Sequence, residues 1–260
     1  MNKFILTFIL FLSFLLGSFF PVEIHDSSVK IVVIDAGHGG KDPGCRGKNQ
    51  KESKIALETA LELGRIIEEN MPDVKVIYTR KTDVFVELHE RARIANKSGA
   101  DLFLSIHCNS GPSAAYGTET FSMGLHKMEG SLEVAKKENS VIFQEDNKVD
   151  HYEGFNPNSV EQYILMAQFA GAYQAHSNSL AAKIQTDFSE RVGRHSRGVK
   201  QAGLYVLWKT AMPSVLVEIG FLTNPTEEKY LSEKKNRVYI ASGIYRAFKS
   251  YKGDMEELKD

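Results

Sequence analysis

The chain has 260 residues, and its 32 lysines and arginines nearly balance its 33 aspartates and glutamates, so the formal net charge is −1. Hydrophobic residues make up 42% of the chain and only 2 residues are cysteine, which excludes a disordered chain and a disulfide scaffold. The near-zero charge also argues against a nucleic-acid partner, because such proteins carry a basic excess.

An uncharged apolar run, FILTFILFLSFLLGSFF, occupies residues 4–20 behind the basic residue Lys3. A basic start followed by an apolar stretch is typical of a secretory signal peptide. The run is also near the lower length limit of a membrane-spanning helix, roughly 17 residues. Residues 1–21 are therefore predicted to be a signal peptide or, alternatively, an uncleaved N-terminal anchor. Either one sends the remaining chain across a membrane, and membrane contact is expected only through an uncleaved segment.

The two cysteines, Cys45 and Cys108, would then meet an oxidising compartment. An even cysteine count permits one disulfide, but the sequence does not establish that the two residues are close enough to pair. We expect both to be packing or loop residues.

From residue 29 onward, apolar runs typical of buried strands alternate with amphipathic helices. The patterns predict strands at residues 29–35, 74–80, 101–110, 117–122 and 214–221. Helices are predicted at residues 52–70, 88–98 and 227–251. This alternation predicts a single α/β domain over residues 29–252, with a mostly parallel central sheet flanked by helices.

Residues 123–177 interrupt the alternation with a polar, irregular stretch centred on EDNKVDHYEGFNPNS and flanked by helical patterns. This length exceeds that of an ordinary connection between elements. The stretch is therefore predicted to be a helical and loop insertion, either a lid or an ordered extension.

Chemically reactive side chains stand where three of the predicted strands approach one edge of the sheet. His38 follows the first strand, His107 ends the third, and Glu218 lies within the apolar run VLVEIGF. Glu52 begins the helix after the first strand. Ligand sites of open α/β sheets form beyond the carboxyl ends of the strands. Two imidazoles with one carboxylate are typical ligands of hydrolytic zinc sites, and a further glutamate can act as the general base.

Three segments resemble the signature blocks of zinc-dependent N-acetylmuramoyl-L-alanine amidases of the amidase_3 type. They are VVIDAGHGGKDPG at residues 32–44, ADLFLSIHCNS at residues 100–110 and MPSVLVEIGFLTN at residues 212–224. The likeness covers residues 29–251 apart from the insertion. It implies a peptidoglycan hydrolase of the periplasm or cell envelope, which cleaves the amide between N-acetylmuramic acid and L-alanine of the stem peptide. A role in separating daughter cells is consistent with this family.

The resemblance also implies roles for the reactive residues. Zn²⁺ would be the cofactor, and Glu218 would be the general base for a zinc-activated water. The implied metal ligands are His38, Glu52 and His107. Glu52 is surrounded by little signature sequence, so Glu58 and Glu62, farther along the same helix, remain alternatives.

Several nearby polar residues are candidates for supporting roles. Asn109 would hydrogen-bond substrate or cap a turn. Arg197 and Lys200 would meet stem-peptide carboxylates or belong to a solvated loop. Asp35 and Asp42 flank the first histidine and are expected to orient its ring.

Some periplasmic amidases that the chain resembles carry a helix at the position of the insertion, which plugs the active site until an activator binds. The insertion is therefore predicted to be a regulatory lid with a protein activator as partner. Glu153 and Glu161 are its candidate inhibitory zinc ligands. The alternative is a substrate-binding extension.

Two other function classes remain open at this stage. One is a different zinc hydrolase of the cell wall, such as a carboxypeptidase or a sugar deacetylase. The other is a wall-binding or regulatory protein built on an inactive amidase fold. The complete set of four reactive residues argues against the second class.

Overall fold

The computed structural model describes residues 28–124, 129–146, 151–152, 154–168 and 171–257. The predicted leader at residues 1–21 lies outside the described residues. Within these ranges, every helix is too short or too polar to cross a membrane.

Six strands of the described chain form one sheet in the order β2-β1-β3-β6-β4-β5. The strands are β1 (Ile31–Ala36), β2 (Lys75–Tyr78), β3 (Leu102–Asn109), β4 (Thr118–Met123), β5 (Ser196–Ala202) and β6 (Ser214–Phe221). Neighbouring strands are parallel except for β4, which runs antiparallel to β6. The predicted α/β fold with a mostly parallel sheet is confirmed.

Helices cover both faces of the sheet. They are α1 (Glu52–Asn70), α2 (Leu88–Lys97), α3 (Glu129–Asn139), α4 (Val160–Gln168), α5 (Gln174–Asp187), α6 (Tyr205–Trp208), α7 (Pro225–Ser232) and α8 (Lys234–Glu257). A short 3-10 turn, Ser140–Gln144, follows α3, and a π turn, Phe188–Val192, follows α5. The helix predicted at residues 52–70 is confirmed in full as α1.

The C-terminal helical region differs from the prediction in two ways. The Asn224 side chain accepts hydrogen bonds from the N–H groups of residues 226 and 227, so α7 begins at Pro225, a residue suited to the first helical turn. Glu233 has an extended backbone, with φ −82° and ψ 123°, and separates α7 from α8. The single helix predicted at residues 227–251 is therefore two helices.

Strand β5 was not predicted from the sequence. Its residues, SRGVKQA, carry basic and polar side chains and are mostly exposed or half-buried. It lies at one edge of the sheet, where a strand needs no continuous apolar run. The apolar pattern that marks β3 and β6 is therefore missing here.

Alternation along the central strands separates an apolar face from a face that carries polar groups. On β3, Leu104 and Ile106 join the core beneath α1, α5 and α8. Phe103 belongs instead to the core beneath α2, α6 and the insertion, and His107 lies four residues after it on the same strand. Because successive side chains of a strand point to opposite faces, His107 lies on the side of the sheet that the insertion covers.

The insertion segment, residues 123–177, packs on this second face. Ala135 of α3, Val141 of the 3-10 turn and Tyr163 of α4 are buried in the same core cluster as Phe121 and Leu216 of the sheet. The described part of the segment is therefore an ordered layer over the sheet.

Both cysteines are buried free thiols. The Cys45 thiol donates a hydrogen bond to the carbonyl oxygen of Cys108 at 3.2 Å. Burial and the neighbouring Glu52 carboxylate raise the pKa of both thiols, which keeps them protonated. The prediction that they are packing or loop residues is confirmed.

Candidate metal centre

His38 stands in a strained turn directly after β1. The N–H of Gly37 donates to the carbonyl oxygen of Ile106 at 3.0 Å, and His38 follows with φ 58°, the one positive φ of a non-glycine residue in the described ranges. Such a conformation costs about 1–3 kcal/mol and persists where surrounding contacts impose it. Here Asp42 Oδ2 lies 2.6 Å from Nδ1 of His38 and fixes the ring.

Two buried arginines brace this turn. Arg80 donates to the carbonyl oxygens of residues 36 and 37 at 2.9 and 2.7 Å. Arg91 donates to the carbonyl oxygen of His38 at 2.9 Å and to the carboxylate of Asp35 at 2.8 Å. Burial raises the pKa of Asp35, but the Arg91 charge and hydrogen bonds outweigh it and hold that pKa below its usual value. The expectation that Asp35 and Asp42 both orient the imidazole holds for Asp42 only, because Asp35 acts on the backbone through Arg91.

Glu52 is the first residue of α1 and is fully buried. Its Oε1 lies 3.1 Å from Nε2 of His38 and 3.0 Å from Nδ1 of His107. The same carboxylate accepts hydrogen bonds from the N–H groups of residues 45 and 108, at 2.7 and 2.9 Å. These bonds hold it ionised, and despite burial its pKa lies well below the usual value because the histidines and Lys137 lower it.

Glu58 and Glu62, the alternatives to Glu52, point elsewhere. Glu58 pairs with Arg237 at 2.7 Å and is partly exposed. Glu62 pairs with Arg65 on the outer side of α1. The structure brings Glu52 alone among the three to the histidines.

Two glycines make room for the cluster. A Cβ atom on Gly37 would lie 2.4 Å from the imidazole of His107, far inside van der Waals contact. A Cβ on Gly44, which has φ +64°, would lie 2.6 Å from both Glu52 Oε2 and the His38 ring. The close approach of His38, Glu52 and His107 therefore depends on glycine at both positions.

A fourth ligand candidate, Glu138, comes from α3 of the insertion segment. Its Oε2 lies 3.2 Å from Nε2 of His38 and 3.0 Å from Nδ1 of His107. The predicted inhibitory glutamates do not take this position. Glu161 is exposed and accepts a hydrogen bond from Ser159 at 2.7 Å, which makes that prediction wrong, and Glu153 lies outside the described residues.

The four side chains form a group able to hold a metal ion; its members are His38, Glu52, His107 and Glu138. Four nitrogen–oxygen distances among their ligand atoms are 3.0–3.2 Å. A tetrahedral zinc ion bound at about 2.0 Å requires ligand atoms about 3.3 Å apart. Nε2 of His38 and both oxygens of Glu138 are buried without a hydrogen-bond partner. The donor set and its spacing fit Zn²⁺.

The cluster is also electrostatically suited to a cation. Burial lowers the pKa of His107, but the carboxylates of Glu138 and Glu52 outweigh this effect and raise the pKa to about 9. The pKa of His38 is likewise well above its usual value, because Glu52 and Asp42 outweigh burial. Excess negative charge between the two imidazoles therefore attracts a proton or a metal ion.

The insertion segment closes the centre. Beside Glu138, the Asn139 side chain donates to the carbonyl oxygen of Gly203 at 2.8 Å and accepts from the N–H of Tyr205 at 2.8 Å. The cavity left next to His38 and Glu138 has a volume of about 10 Å³, close to the room that one water molecule needs. The insertion segment therefore leaves little free space beside the four side chains in this arrangement.

Glu218 lies in the middle of β6, in register with His107 on β3 and Glu119 on β4. It is fully buried, and neither carboxylate oxygen has a hydrogen-bond partner. Burial and the charges of Glu138 and Glu52 raise its pKa well above the usual value. A buried carboxylate without a partner is typical of a functional group.

Glu119 is a buried carboxylate that the sequence interpretation missed. It accepts hydrogen bonds or ion pairs from Arg197, from Lys200 at 2.8 Å and from Asn109 at 3.3 Å. The three residues considered for substrate contact, which are Asn109, Arg197 and Lys200, therefore all contact one carboxylate beside Glu218. The alternation in GTETFS carried the relevant signal, because it places Glu119 on the same face as Phe121.

Comparison with known proteins gives concordant results. The family model Amidase_3, N-acetylmuramoyl-L-alanine amidase, matches residues 32–250. The chain is 34% identical over 228 residues to the N-acetylmuramoyl-L-alanine amidase AmiA of Escherichia coli, which covers 85% of this chain and 76% of that relative.

Solved structures agree with the sequence comparisons. An N-acetylmuramoyl-L-alanine amidase from Clostridium difficile 630 aligns with a TM-score of 0.64 and 27% identity, over 86% of this chain and 97% of that one. The CwlD amidase from Clostridioides difficile, solved in complex with the GerS lipoprotein, aligns with a TM-score of 0.63 and 27% identity, over 85% and 98% of the two chains. The chain therefore belongs to the N-acetylmuramoyl-L-alanine amidase family.

Proposed function

We propose that this chain hydrolyses the amide bond between N-acetylmuramic acid and the L-alanine of the peptidoglycan stem peptide. Membership of the amidase family and the names of its relatives support this reaction. The observation that carries the proposal is the convergence of three ligand side chains beside the unpaired carboxylate of Glu218, on one face of the sheet.

His38, Glu52 and His107 are the proposed ligands of Zn²⁺. A zinc ion supplies a Lewis acid for a carbonyl oxygen and lowers the pKa of water to around 7. Asp42 contacts Nδ1 of His38 and so fixes the tautomer that leaves Nε2 facing the other ligands. The backbone N–H groups of residues 45 and 108, which donate to Glu52, hold its carboxylate in place in the same way.

Glu218 is the proposed general base. It accepts a proton from the attacking water, whose oxygen bonds to the carbonyl carbon. As the carbon–nitrogen bond breaks, Glu218 returns a proton to the leaving amine of L-alanine. A general base acts best when its pKa lies near the working pH, and burial moves the pKa of Glu218 upward from the usual carboxyl range.

Glu218→Gln tests this function. The variant should keep its bound zinc and lose hydrolysis by about 10²–10⁴-fold, the usual contribution of a general base. The assay follows digestion of purified sacculi and identifies free N-terminal L-alanine in the products. A carboxypeptidase would instead release a C-terminal amino acid, and a deacetylase would release acetate. Turnover by Glu218→Gln comparable to that of the wild type would contradict the role.

The metal ligands have a separate test. His38→Ala and His107→Ala should each lower the zinc bound per chain in elemental analysis, and a chelator should abolish sacculus digestion by the wild type. Glu58→Ala, at a partly exposed position of α1, is the matched control and should keep full zinc. Unchanged zinc in both histidine variants would contradict the site.

The insertion segment is a proposed regulatory lid, seen here in its closed position. Hydrolytic zinc sites leave their fourth position open for water, whereas Glu138 lies at that position in this structure. The cavity of about 10 Å³ leaves no room for a glycopeptide. Catalysis then requires α3 to move, and a protein activator that binds the insertion segment is the proposed partner. The CwlD relative was solved in complex with a lipoprotein, which supports a protein partner for this chain.

Export is the remaining part of the proposal. Peptidoglycan lies outside the cytoplasmic membrane, so the apolar run at residues 4–20 is proposed to direct the chain to the periplasm or cell envelope.

A further inference from the structure

A second group of ligand-type side chains lies where the insertion segment meets α2. Glu87 precedes α2, His89 lies in its first turn, and His151 belongs to the insertion segment. One ligand atom from each residue lies within 4.8 Å of the other two. Two imidazoles with one carboxylate again make a donor set that suits transition-metal ions.

The surroundings of His89 resemble those of a metal-binding imidazole. Its Nε2 lies on the side of Glu87, 3.6 Å from Oε2. Its Nδ1 faces the other way, 3.5 Å from the Tyr152 hydroxyl and 3.7 Å from the Glu145 carboxylate. Metal-binding histidines usually donate their second ring nitrogen to a carboxylate or another acceptor, which fixes the tautomer.

His151 must turn its ring to complete the group. Its ring stacks on His89, with centroids 4.0 Å apart and an interplanar angle of 10°. An ion bound at about 2.0–2.1 Å requires ligand atoms about 3.3 Å apart, so the atoms must approach by up to about 1.5 Å. His151 is exposed, so rotation of its side chain has to break the stack on His89 but not the packing of a buried ring.

An ion bound to this group would affect how the insertion segment is held, because the group spans that segment and the start of α2. Glu145 of the insertion accepts a hydrogen bond from the N–H of Leu88 at 2.8 Å, and its carboxylate also accepts from the Tyr152 hydroxyl. The insertion is thus already joined to the start of α2 here. A metal ion shared by His89 and His151 would add a cross-link between the same two parts.

We propose that Glu87, His89 and His151 form a second site for a divalent transition-metal ion such as Zn²⁺, which fastens the insertion segment to α2. The site is distinct from the candidate centre at His38 and His107, and its metal binding does not depend on the proposed hydrolase activity. Since half-exposed ligands leave water on the ion, this second ion should bind more weakly than the first.

Zinc titration of the full chain, stripped of metal by chelation, tests the second site. Calorimetry and elemental analysis should give two Zn²⁺ per wild-type chain, one tight and one at least tenfold weaker. His89→Ala and His151→Ala should each lose the weaker ion and keep the tight one. The matched control is His195→Ala, which removes an exposed imidazole outside both groups and should retain two ions.

The outcomes separate the two metal sites. A wild type that binds one ion, lost in His38→Ala and kept in His89→Ala, refutes the second site and leaves the catalytic one standing. Two ions in His89→Ala, with circular dichroism unchanged, also refute it. Because His151 is exposed, His151→Ala should keep the fold, and loss of the weak ion in that variant supports the proposal.

Discussion

Removal of the Glu138 carboxylate should raise basal hydrolysis, because this group holds the proposed lid on the candidate metal centre. In the closed structure its Oε2 lies 3.0 Å from His107 and 3.2 Å from His38, and Oε1 lies 3.1 Å from the Lys137 ammonium. Taken together, the contacts of this buried carboxylate with the cationic groups are assigned about 1.5–3 kcal/mol, the range for one hydrogen bond to a charged group. Glu138→Ala leaves the apolar contacts of α3, such as those of Ala135, in place, so the insertion still folds.

The expected size of the effect follows from these contacts. Loss of about 1.5–3 kcal/mol from the closed state changes the balance of closed and open forms by roughly 10- to 150-fold, at 1.4 kcal/mol per factor of ten. The initial rate on dye-labelled sacculi should rise by the same factor until the site is fully open. Saturating Zn²⁺ is needed, because Glu138 is itself a ligand candidate.

The matched control is Glu133→Ala, which removes an exposed carboxylate from the same helix. Its rate should equal that of the wild type. A rate for Glu138→Ala that stays unchanged, with full zinc content and a normal circular dichroism spectrum, would refute the lid. A lower rate would favour the alternative, in which the insertion segment binds substrate.

Two further predictions concern the groups behind the ligands. Asp42→Asn should weaken zinc affinity by about 10–100-fold, because the partner that fixes the His38 tautomer is lost; competition with a chromophoric chelator measures this, and equal affinity would contradict it. Asp35→Asn should destabilise the fold by about 3–5 kcal/mol at pH 7, since Arg91 loses its buried partner. The pKa of Asp35 is lowered in the fold, so its contribution is present above about pH 4 and is lost as pH falls through the folded value. Urea unfolding at pH 7 and pH 3 should therefore show a smaller pH effect in Asp35→Asn than in the wild type, and equal pH effects would contradict this.

The site residues that the sequence predicts lie where strand patterns are strongest. His38 and His107 follow or end apolar runs, and Glu218 interrupts one, so their common edge could be inferred from parallel-sheet geometry. The sequence pattern distinguishes Glu52 less clearly, because its loop contains little signature sequence. Its selection over Glu58 depends on hydrogen bonds from the N–H groups of two distant residues, which only the fold brings together.

Glu138 could not be found in the same way. It belongs to an amphipathic helix with several other charged residues, and nothing local separates it from exposed Glu133. Its burial results from the packing of α3 across the sheet. Strand β5 could not be predicted because its sequence has little apolar content. Hydrogen bonding to β4 at the sheet edge stabilises it instead.

Two consecutive residues at the end of α3 hold the insertion segment over the candidate metal centre. Glu138 contacts the histidines, while the adjacent Asn139 bonds to the backbone of Gly203 and Tyr205. A displacement of the end of α3 that frees Glu138 also breaks the hydrogen bonds of Asn139. A small displacement therefore does not open the site. If the insertion segment is the proposed lid, release of the end of α3 should break both sets of contacts together, and the proposed activator should switch the chain between two levels of activity.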